Sequence, residues 1–266
     1  AIAPLVGEYD FVNNDTDAMD DNGHGTHVAG IVASNDSVYK GVAPGASLMA
    51  AKVLDAFGSG WTSDVIAGID WCVANGADII SMSLGGAAYL GTCDSEPLAA
   101  ASNNAVDQGA VVFAASGNDG YLNAIATPAC GSKVIAVGSV NKKDGRTPYS
   151  NEGTKLDIVA PGSEITSTYL NGGFLPLTGT SMATPHASGT AALLLEAKSI
   201  LTPMQIRDII RNTAVDLGAS GFDTIYGYGR IDAYAAHQAA IGVPPPPPPP
   251  LLVVNSVDVR VLESSG

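Results

Sequence analysis

Short apolar runs alternate with longer amphipathic stretches along most of the chain. Four runs are rich in β-branched residues and bounded by Gly, Asn or Pro, which predicts buried strands at 47–54, 77–84, 110–116 and 133–140. Between the first two, apolar residues recur at helical spacing and predict a helix over 63–75. Ser63 can cap the start of this helix, and Asn75-Gly76 can end it.

Later helices are predicted at 95–108, 181–198, 203–212 and 230–241. Strand–helix–strand order places consecutive strands in a parallel sheet whose two faces are covered by helices. The pattern therefore predicts an α/β fold built on a mainly parallel central sheet.

A run of seven prolines ends this pattern at 244–250. Consecutive prolines lack the N–H groups that helices and central strands need, and they form a stiff, extended spacer. We therefore predict a main domain over 1–242, a polyproline linker over 243–250, and the start of a further, truncated domain over 251–266.

The composition narrows the class of protein. The chain has 266 residues, is 46% hydrophobic and 14% charged, and carries a net charge of −14, which suits one compact acidic domain. Nucleic acid is an improbable partner because phosphate binding needs clustered Lys and Arg. No apolar run reaches the roughly 18 residues of a membrane-spanning helix, so we expect no membrane span.

The three cysteines leave two interpretations open. Cys93 and Cys130 lie in turn-rich segments and can form a disulfide, with Cys72 buried and free on a helical face. The alternative is three reduced thiols, because sequence alone cannot fix pairing.

Ser181 has the position of a nucleophile. It lies in GTSMATPHASG, directly before a long apolar helix, where free backbone N–H groups and the helix dipole favour developing negative charge. Ser is also a preferred N-cap, so taken alone the residue fits an ordinary helix start.

His24, His27 and Asn118 are further candidates, each with a structural alternative. His24 and His27 have the helical spacing of a metal clip, but no accompanying ligand motif supports one. Asn118 follows a predicted strand, and its amide can donate to an oxyanion. The Asn-Asp-Gly sequence there equally suits a turn.

The order of four motifs makes these signals specific. DNGHGTHVAG, SMSLGG, AASGNDG and GTSMATPH follow one another between residues 21 and 186, and this combination resembles the subtilisin-like serine proteases. The resemblance implies a three-layer α/β/α sandwich, Ser181 as nucleophile, His24 as general base, and Asn118 with the Ser181 N–H as oxyanion donors. It implies a structural role for His27, no cofactor for the chemistry, a secreted protein and a polypeptide substrate; we also expect a monomer.

The resemblance also indicates where the substrate binds. Such enzymes hold an extended peptide as an added strand. The matching edges are Gly58, Ser59 and Gly60, and Ser83, Leu84, Gly85 and Gly86. Ala114, Ala115 and Ser116 would line the S1 pocket, which receives the P1 side chain, with Ala126 near its floor. Because these residues carry no charge, we expect an apolar or aromatic P1 side chain.

The catalytic acid of such enzymes has no counterpart in the sequence. In the family, an Asp in a D-T/S-G motif precedes the His motif by about 30 or more residues, whereas 23 residues precede His24 here. Asp10 is a tempting substitute, but motif order matches its segment to a part of the family after that Asp. We therefore expect a sheet that lacks the strand with the catalytic Asp, and a fragment of low activity.

The segment 13–22 is a candidate calcium site. It offers the oxygen ligands of Asn13, Asp15, Asp17, Asp20 and Asp21, and clustered hard oxygens suit Ca²⁺. Some subtilases bind calcium in the matching loop. The alternative is a solvated acidic turn.

Two functional alternatives accompany the protease hypothesis. A non-catalytic, peptide-binding pseudopeptidase would retain the groove without turnover. An α/β-hydrolase is disfavoured because GTSMA departs from G-x-S-x-G and because His precedes Ser in the chain.

Overall fold

The computed structural model describes residues 2–242, which hold ten strands and six α-helices. The strands are β1 (Gly7–Asp10), β2 (Met49–Lys52), β3 (Ile79–Met82), β4 (Ala88–Tyr89), β5 (Val111–Ala115), β6 (Ile125–Ala126), β7 (Ile135–Val140), β8 (Ile158–Pro161), β9 (Ile165–Thr168) and β10 (Phe174–Leu177). The helices are α1 (His24–Ala33), α2 (Thr62–Ala74), α3 (Pro97–Asp107), α4 (Thr180–Ala197), α5 (Pro203–Asn212) and α6 (Ala233–Ala240).

The predicted strands and helices all occur, most of them with shifted ends, but the prediction that the first strand is buried is wrong, because no residue of β2 is buried. The predicted cap of α2 is wrong: the helix begins at Thr62, Trp61 is its N-cap, and no side chain accepts a hydrogen bond there. α6 starts at Ala233 rather than 230, because the Asp232 carboxylate accepts from the Ala235 N–H and fixes the helix start. The strands missed by the pattern (β1, β4, β6, β8, β9 and β10) are all short, with at most four residues each.

Four parallel strands form the central sheet in the order β3-β5-β7-β8. Side chains of β5 alternate between its two faces, as strand geometry requires. Val111 and Phe113 pack in a core cluster with α4, α5 and α6, whereas Val112 and Ala114 pack with α2 and α3. Helices therefore cover both faces of the sheet, and the predicted three-layer α/β/α architecture is confirmed.

β1 and β2 form a separate parallel pair, with Tyr9 opposite Ala51. Within residues 2–242, β2 pairs only with β1, and β3 pairs only with β5. A cleft of about 2670 Å³ is lined by β2 and β3. Ile69 and Cys72 of α2, Val32 of α1 and Ala192 of α4 also line it. Strands thus border the cleft on two sides and helices border it from both outer layers.

Small residues seat α4 against the sheet. Ala183, Ala187 and Ala191 are fully buried on the face toward β5 and β7. Gly189 is required where α4 meets the chain after α1, because a Cβ there would lie 2.8 Å from the Val42 Cβ. This close packing fixes the start of α4, and with it Ser181.

The disulfide interpretation is settled in favour of Cys93–Cys130, and Cys72 is free. Burial raises the pKa of the Cys72 thiol to about 11, so it is protonated at neutral pH.

Among residues 2–242, no helix has both the length and the apolar character needed to cross a membrane. The predicted linker over 243–250 and the further segment over 251–266 lie outside the described residues, so this division into domains stays a prediction.

Candidate active site

Ser181 is the second residue of α4, close to the carboxyl ends of the sheet strands. Its backbone N–H donates to no acceptor within the described chain, as expected in the first turn of a helix. Its hydroxyl donates to the Ser83 carbonyl at 3.3 Å, and the Ser83 hydroxyl donates back to the Ser181 carbonyl at 2.7 Å. This reciprocal contact ties the start of α4 to the segment that follows β3.

The Asn118 amide is fixed in one orientation. Its Oδ1 accepts from both the N–H and the hydroxyl of Thr180, each at 2.9 Å. The amide nitrogen is therefore the group left to donate on the side of Ser181. Two donors, this NH₂ and the Ser181 N–H, flank the same pocket.

His24 is the first residue of α1 and is half-buried. Burial, and then the neighbouring His27 ring, lower the pKa of His24 and outweigh the opposing effect of Asp20. A lowered pKa favours the neutral imidazole that a general base needs.

The contacts of His24 differ from those of a complete triad. The Ser181 hydroxyl bonds to Ser83 rather than to His24. Across residues 2–242, no carboxylate forms a salt bridge with the His24 imidazole. Among residues 2–242, Ser181 lines the small pocket and His24 lines the large cleft, and no hydrogen bond joins the two side chains.

Asp10 occupies a structural position. Its carboxylate accepts from the Val12 N–H at 2.7 Å, the Asn13 N–H at 2.9 Å and the Asn13 amide at 2.9 Å. All of these donors belong to the turn after β1, so the carboxylate caps that turn rather than orienting His24.

His27 connects α1 to the β9–β10 hairpin. Its Nε2 lies 2.9 Å from the carbonyls of Ile165 and Leu175, and its side chain is fully buried. Because these carbonyls engage Nε2, a metal clip formed with His24 has no support, and no cluster of metal-ligating side chains occurs within the described part of the chain.

A pocket of about 280 Å³ opens beside Ser181 and Asn118. Of the residues predicted to hold the substrate, Leu84, Gly85, Gly86, Ala115 and Ala126 line it. A Cβ on Gly86 would lie 3.1 Å from the Thr127 side chain, so a larger residue would require Thr127 to shift. Gly86 therefore packs tightly against Thr127 at the pocket wall.

Sequence reasoning missed Asp119, which also lines this pocket and is exposed. The Asn-Asp-Gly sequence identified a turn but not the direction in which the turn faces. A carboxylate at the rim is a charge that the predicted apolar lining did not include.

The remaining predicted substrate residues lie elsewhere. Ala114 is fully buried in the core, and the buried Ser116 hydroxyl donates to the Asn151 carbonyl. Gly58, Ser59 and Gly60 form an exposed turn after β2 and line the large cleft together with His24, not the pocket at Ser181.

The acidic segment 13–22 does not gather its oxygens around one point. The Asp20 carboxylate accepts from the N–H groups of Asn22, Gly23 and Thr26 and from the Thr26 hydroxyl. Asp21 forms a salt bridge with Lys52.

The other predicted ligands serve local turns. Asp15 accepts from the Asp17 N–H, and the Asn13 amide donates to Asp10. The segment therefore caps α1 and its own turns, and these residues do not fit a calcium site.

Comparison with known proteins agrees with this geometry. The subtilase family, Peptidase S8, matches residues 5–229. Subtilisin DY of Bacillus licheniformis is 43% identical over 239 residues, covering 88% of this chain and 84% of subtilisin DY. The minor extracellular protease Epr of Bacillus subtilis (strain 168) is 42% identical over 247 residues; the match covers 89% of this chain but only 38% of that protein.

Solved structures lead to the same family. A cold adapted subtilisin-like serine proteinase superposes with a TM-score of 0.73 at 39% identity, covering 86% of this chain and 79% of its own. A lanthipeptide protease superposes with a TM-score of 0.76 at 27% identity, and the match covers 88% of this chain and 80% of that protease. With its motifs, its three-layer fold and a family match over most of its length, the chain belongs to the subtilase family of serine peptidases.

Proposed function

We propose that the site hydrolyses peptide bonds through an acyl-enzyme on Ser181. The observation that supports this most is the convergence of the Ser181 N–H and the oriented Asn118 amide on one pocket. Donors placed in this way stabilise the oxyanion that forms when a hydroxyl attacks a carbonyl. Subtilases need no cofactor for this chemistry.

His24 is the general base in this proposal. It takes the Ser181 proton as the Ser181 oxygen attacks the scissile carbonyl, and returns it to the leaving amine. In the acyl-enzyme step, water loses a proton to His24 as it attacks the ester carbonyl, and His24 returns that proton to the Ser181 oxygen as the ester bond breaks. Closing the cycle requires the Ser181 hydroxyl to exchange its contact with Ser83 for one with His24.

The substrate is an extended polypeptide. Its backbone would lie along Ser83–Gly86 and the Gly58–Gly60 turn, and its P1 side chain would enter the pocket at Ser181. Leu84, Ala115 and Ala126 favour an apolar or aromatic P1 residue. The disulfide and the extracellular relative support a secreted protein, which we propose to be monomeric.

Labelling with a fluorophosphonate, read by mass spectrometry, tests the nucleophile. The expected adduct lies on Ser181 in a chain that circular dichroism shows to be folded, and Ser181→Ala removes it. Because the reaction needs neutral His24, its rate should rise with pH through a midpoint below the ordinary histidine value of 6.5. An adduct on another serine, or none on a folded chain, contradicts the proposal.

We further propose that the acid which orients His24 is carried by an extended strand placed between β2 and β3. Support comes from the two parallel strands that each pair on one side only, and from the cleft between them that reaches His24. Such a strand would run parallel to both, because its carboxyl end would then lie beside His24 and Ser181. Without it, we expect turnover to be lower by on the order of 10⁴-fold.

A synthetic peptide tests this second step. It would contain six β-branched apolar residues followed by Asp, and a matched peptide would carry Asn in place of Asp. Both should protect Cys72, which lines the cleft, from a thiol reagent. Only the Asp peptide should accelerate hydrolysis of a peptide substrate; failure of both to protect Cys72 would refute the strand.

A non-catalytic peptide-binding domain is the second candidate, favoured by the Ser181–Ser83 contact and by the lack of a carboxylate ion-paired with His24 within residues 2–242. It predicts binding of apolar peptides at the pocket without any fluorophosphonate adduct, including in the presence of the Asp peptide.

A further inference from the structure

The wall and the floor of the Ser181 pocket are two strands of one antiparallel ribbon. At the pocket, the Gly86 N–H donates to the Thr127 carbonyl and the Thr127 N–H donates to the Ala87 carbonyl, both at 2.9 Å. The ribbon continues as β4 against β6, with Ala88 opposite Ala126. The pocket width therefore depends on how firmly these two strands stay paired.

The Cys93–Cys130 disulfide joins the segments that follow the two strands of this ribbon, because Cys93 lies four residues after Tyr89 and Cys130 four residues after Ala126. The Cys93 N–H donates to the Cys130 carbonyl and the Cys130 N–H donates to the Ala126 carbonyl, each at 3.1 Å. Both cysteines are buried, with exposed fractions of 5% and 0%. The covalent bond thus lies in direct hydrogen-bonded continuity with Ala126, which lines the pocket.

Between Gly86 and α3 the wall segment has one residue packed against the core, Tyr89, followed by an exposed turn. Leu90 is 73% exposed, and Gly91 turns the chain with a positive φ of 67°. Asp94 supplies the other anchor: its carboxylate accepts from the Ser132 N–H at 2.7 Å and from the Asn103 amide at 2.8 Å.

We infer that the Cys93–Cys130 disulfide is a positioning element of the P1 pocket, and that it acts on selection of the P1 side chain rather than on the chemistry at Ser181. This inference rests on the proposed function of the pocket. A bound side chain must push wall and floor apart, and a ribbon whose two strands are also joined covalently holds the pocket ready instead of having to be ordered on binding. Ser181 and Asn118 are anchored separately, through Ser83 and Thr180.

The test compares two short product-like peptides, one ending in Phe and one ending in Ala, whose binding is measured by fluorescence anisotropy. In the double variant Cys93→Ala and Cys130→Ala, we expect the Phe-over-Ala affinity ratio to fall about tenfold. The rate at which a small fluorophosphonate labels Ser181 should stay within about twofold of the unmodified chain. Cys72→Ala, which removes the remote free thiol, should change neither value.

Two results would overturn the inference. One is an unchanged Phe-over-Ala ratio in a folded double variant; the other is an equal fall in peptide binding and labelling, which marks a general loss of structure. If the double variant does not fold, Asp94→Ala carries the test, since it loosens the same segment and should lower the same ratio by a smaller factor. Absence of any Phe preference in the unmodified chain would instead refute the proposed pocket, and the inference with it.

Discussion

The two parallel sheets of this molecule differ sharply in burial. All residues of β5 and β7 are buried, whereas β1 has one buried residue, Asp10, and β2 has none. Ser181, Asn118 and the pocket lie on the well-packed sheet, while His24 borders the cleft beside β2. The contrast indicates that the proposed nucleophile and oxyanion donors are held by the packed core, whereas the surroundings of His24, the proposed base, depend on what occupies the cleft.

The largest expected effect is on the packed side, at Asp157. This buried carboxylate lies at the start of β8 and forms ion pairs with Lys155, Arg207 and Arg211. Burial acts to raise its pKa, but the three cations outweigh burial and lower the pKa to about 2. Asp157→Asn leaves buried cations without their partner and should cost about 3–5 kcal/mol in the free energy of unfolding, measured with urea.

Asp10→Asn is the matched change on the open side. Asp10 is also buried, but its hydrogen-bond donors are neutral, so we expect a loss of only about 1–3 kcal/mol. If Asp157→Asn and Asp10→Asn lowered the free energy of unfolding equally, the proposed contrast between the central sheet and the β1–β2 pair would be wrong.

Next in size is the effect of Asn118 on reactivity. Asn118→Ala removes one oxyanion donor and should slow labelling of Ser181 by about 10²–10³-fold. The free energy of unfolding should also fall, by about 1–3 kcal/mol, because Asn118 Oδ1 accepts from the N–H and the hydroxyl of the buried Thr180. Asn123→Ala, at an exposed position outside the pocket lining, is the control and should label at the unmodified rate; a similar slowing there would argue against an oxyanion role.

Asp20, which lines the large cleft, should contribute less to the stability of the fold. Burial acts to raise its pKa, but hydrogen bonds from Thr26, Gly23 and Asn22 outweigh burial and lower it. Asp20→Asn weakens these bonds and should destabilise the chain by about 1–2 kcal/mol at pH 7.

The pH dependence of that loss follows from the lowered pKa. A carboxylate with a depressed pKa stabilises the fold above its unfolded pKa near 3.9, and this contribution disappears as the pH falls through the lower folded value. Urea midpoints of the two proteins should therefore differ at pH 7 and converge in acid. A constant difference down to pH 2 would show that the charge of Asp20 is irrelevant.

The smallest expected effect is at the capping box of α5. The Thr202 hydroxyl accepts from the Gln205 N–H, and the Gln205 side chain accepts from the Thr202 N–H. Thr202→Ala should cost about 1 kcal/mol in urea unfolding. Thr62→Ala is the control, because Thr62 lies at the start of α2, where no side-chain cap exists, and it should cost less.

Elements with a local sequence pattern could be predicted without the structure. Strands β3, β5 and β7 were predictable because a continuous apolar run is typical of a buried parallel strand, whereas β2 occurs at its predicted place without any buried residue. The positions of Ser181 and His24 at helix starts were predictable because glycines and the following apolar helices mark those ends. These local signals, with the order of the motifs, were enough to indicate the family.

Contacts between side chains that lie far apart in the sequence could not be predicted without the tertiary structure. Cys93 and Cys130 are separated by 37 residues, and no local pattern encodes their approach. Because side chains alternate along β5, Ala115 lines the Ser181 pocket and Ala114 is buried in the core. The turn after β5 places Asp119 in the lining of the same pocket.

The calcium prediction illustrates the same limit. A cluster of acidic residues in sequence becomes a metal site only if its oxygens converge, and here backbone N–H groups engage several of them first. The physical reason is that burial and hydrogen-bond geometry are properties of the assembled layers, whereas periodicity and helix-end chemistry are properties of the chain.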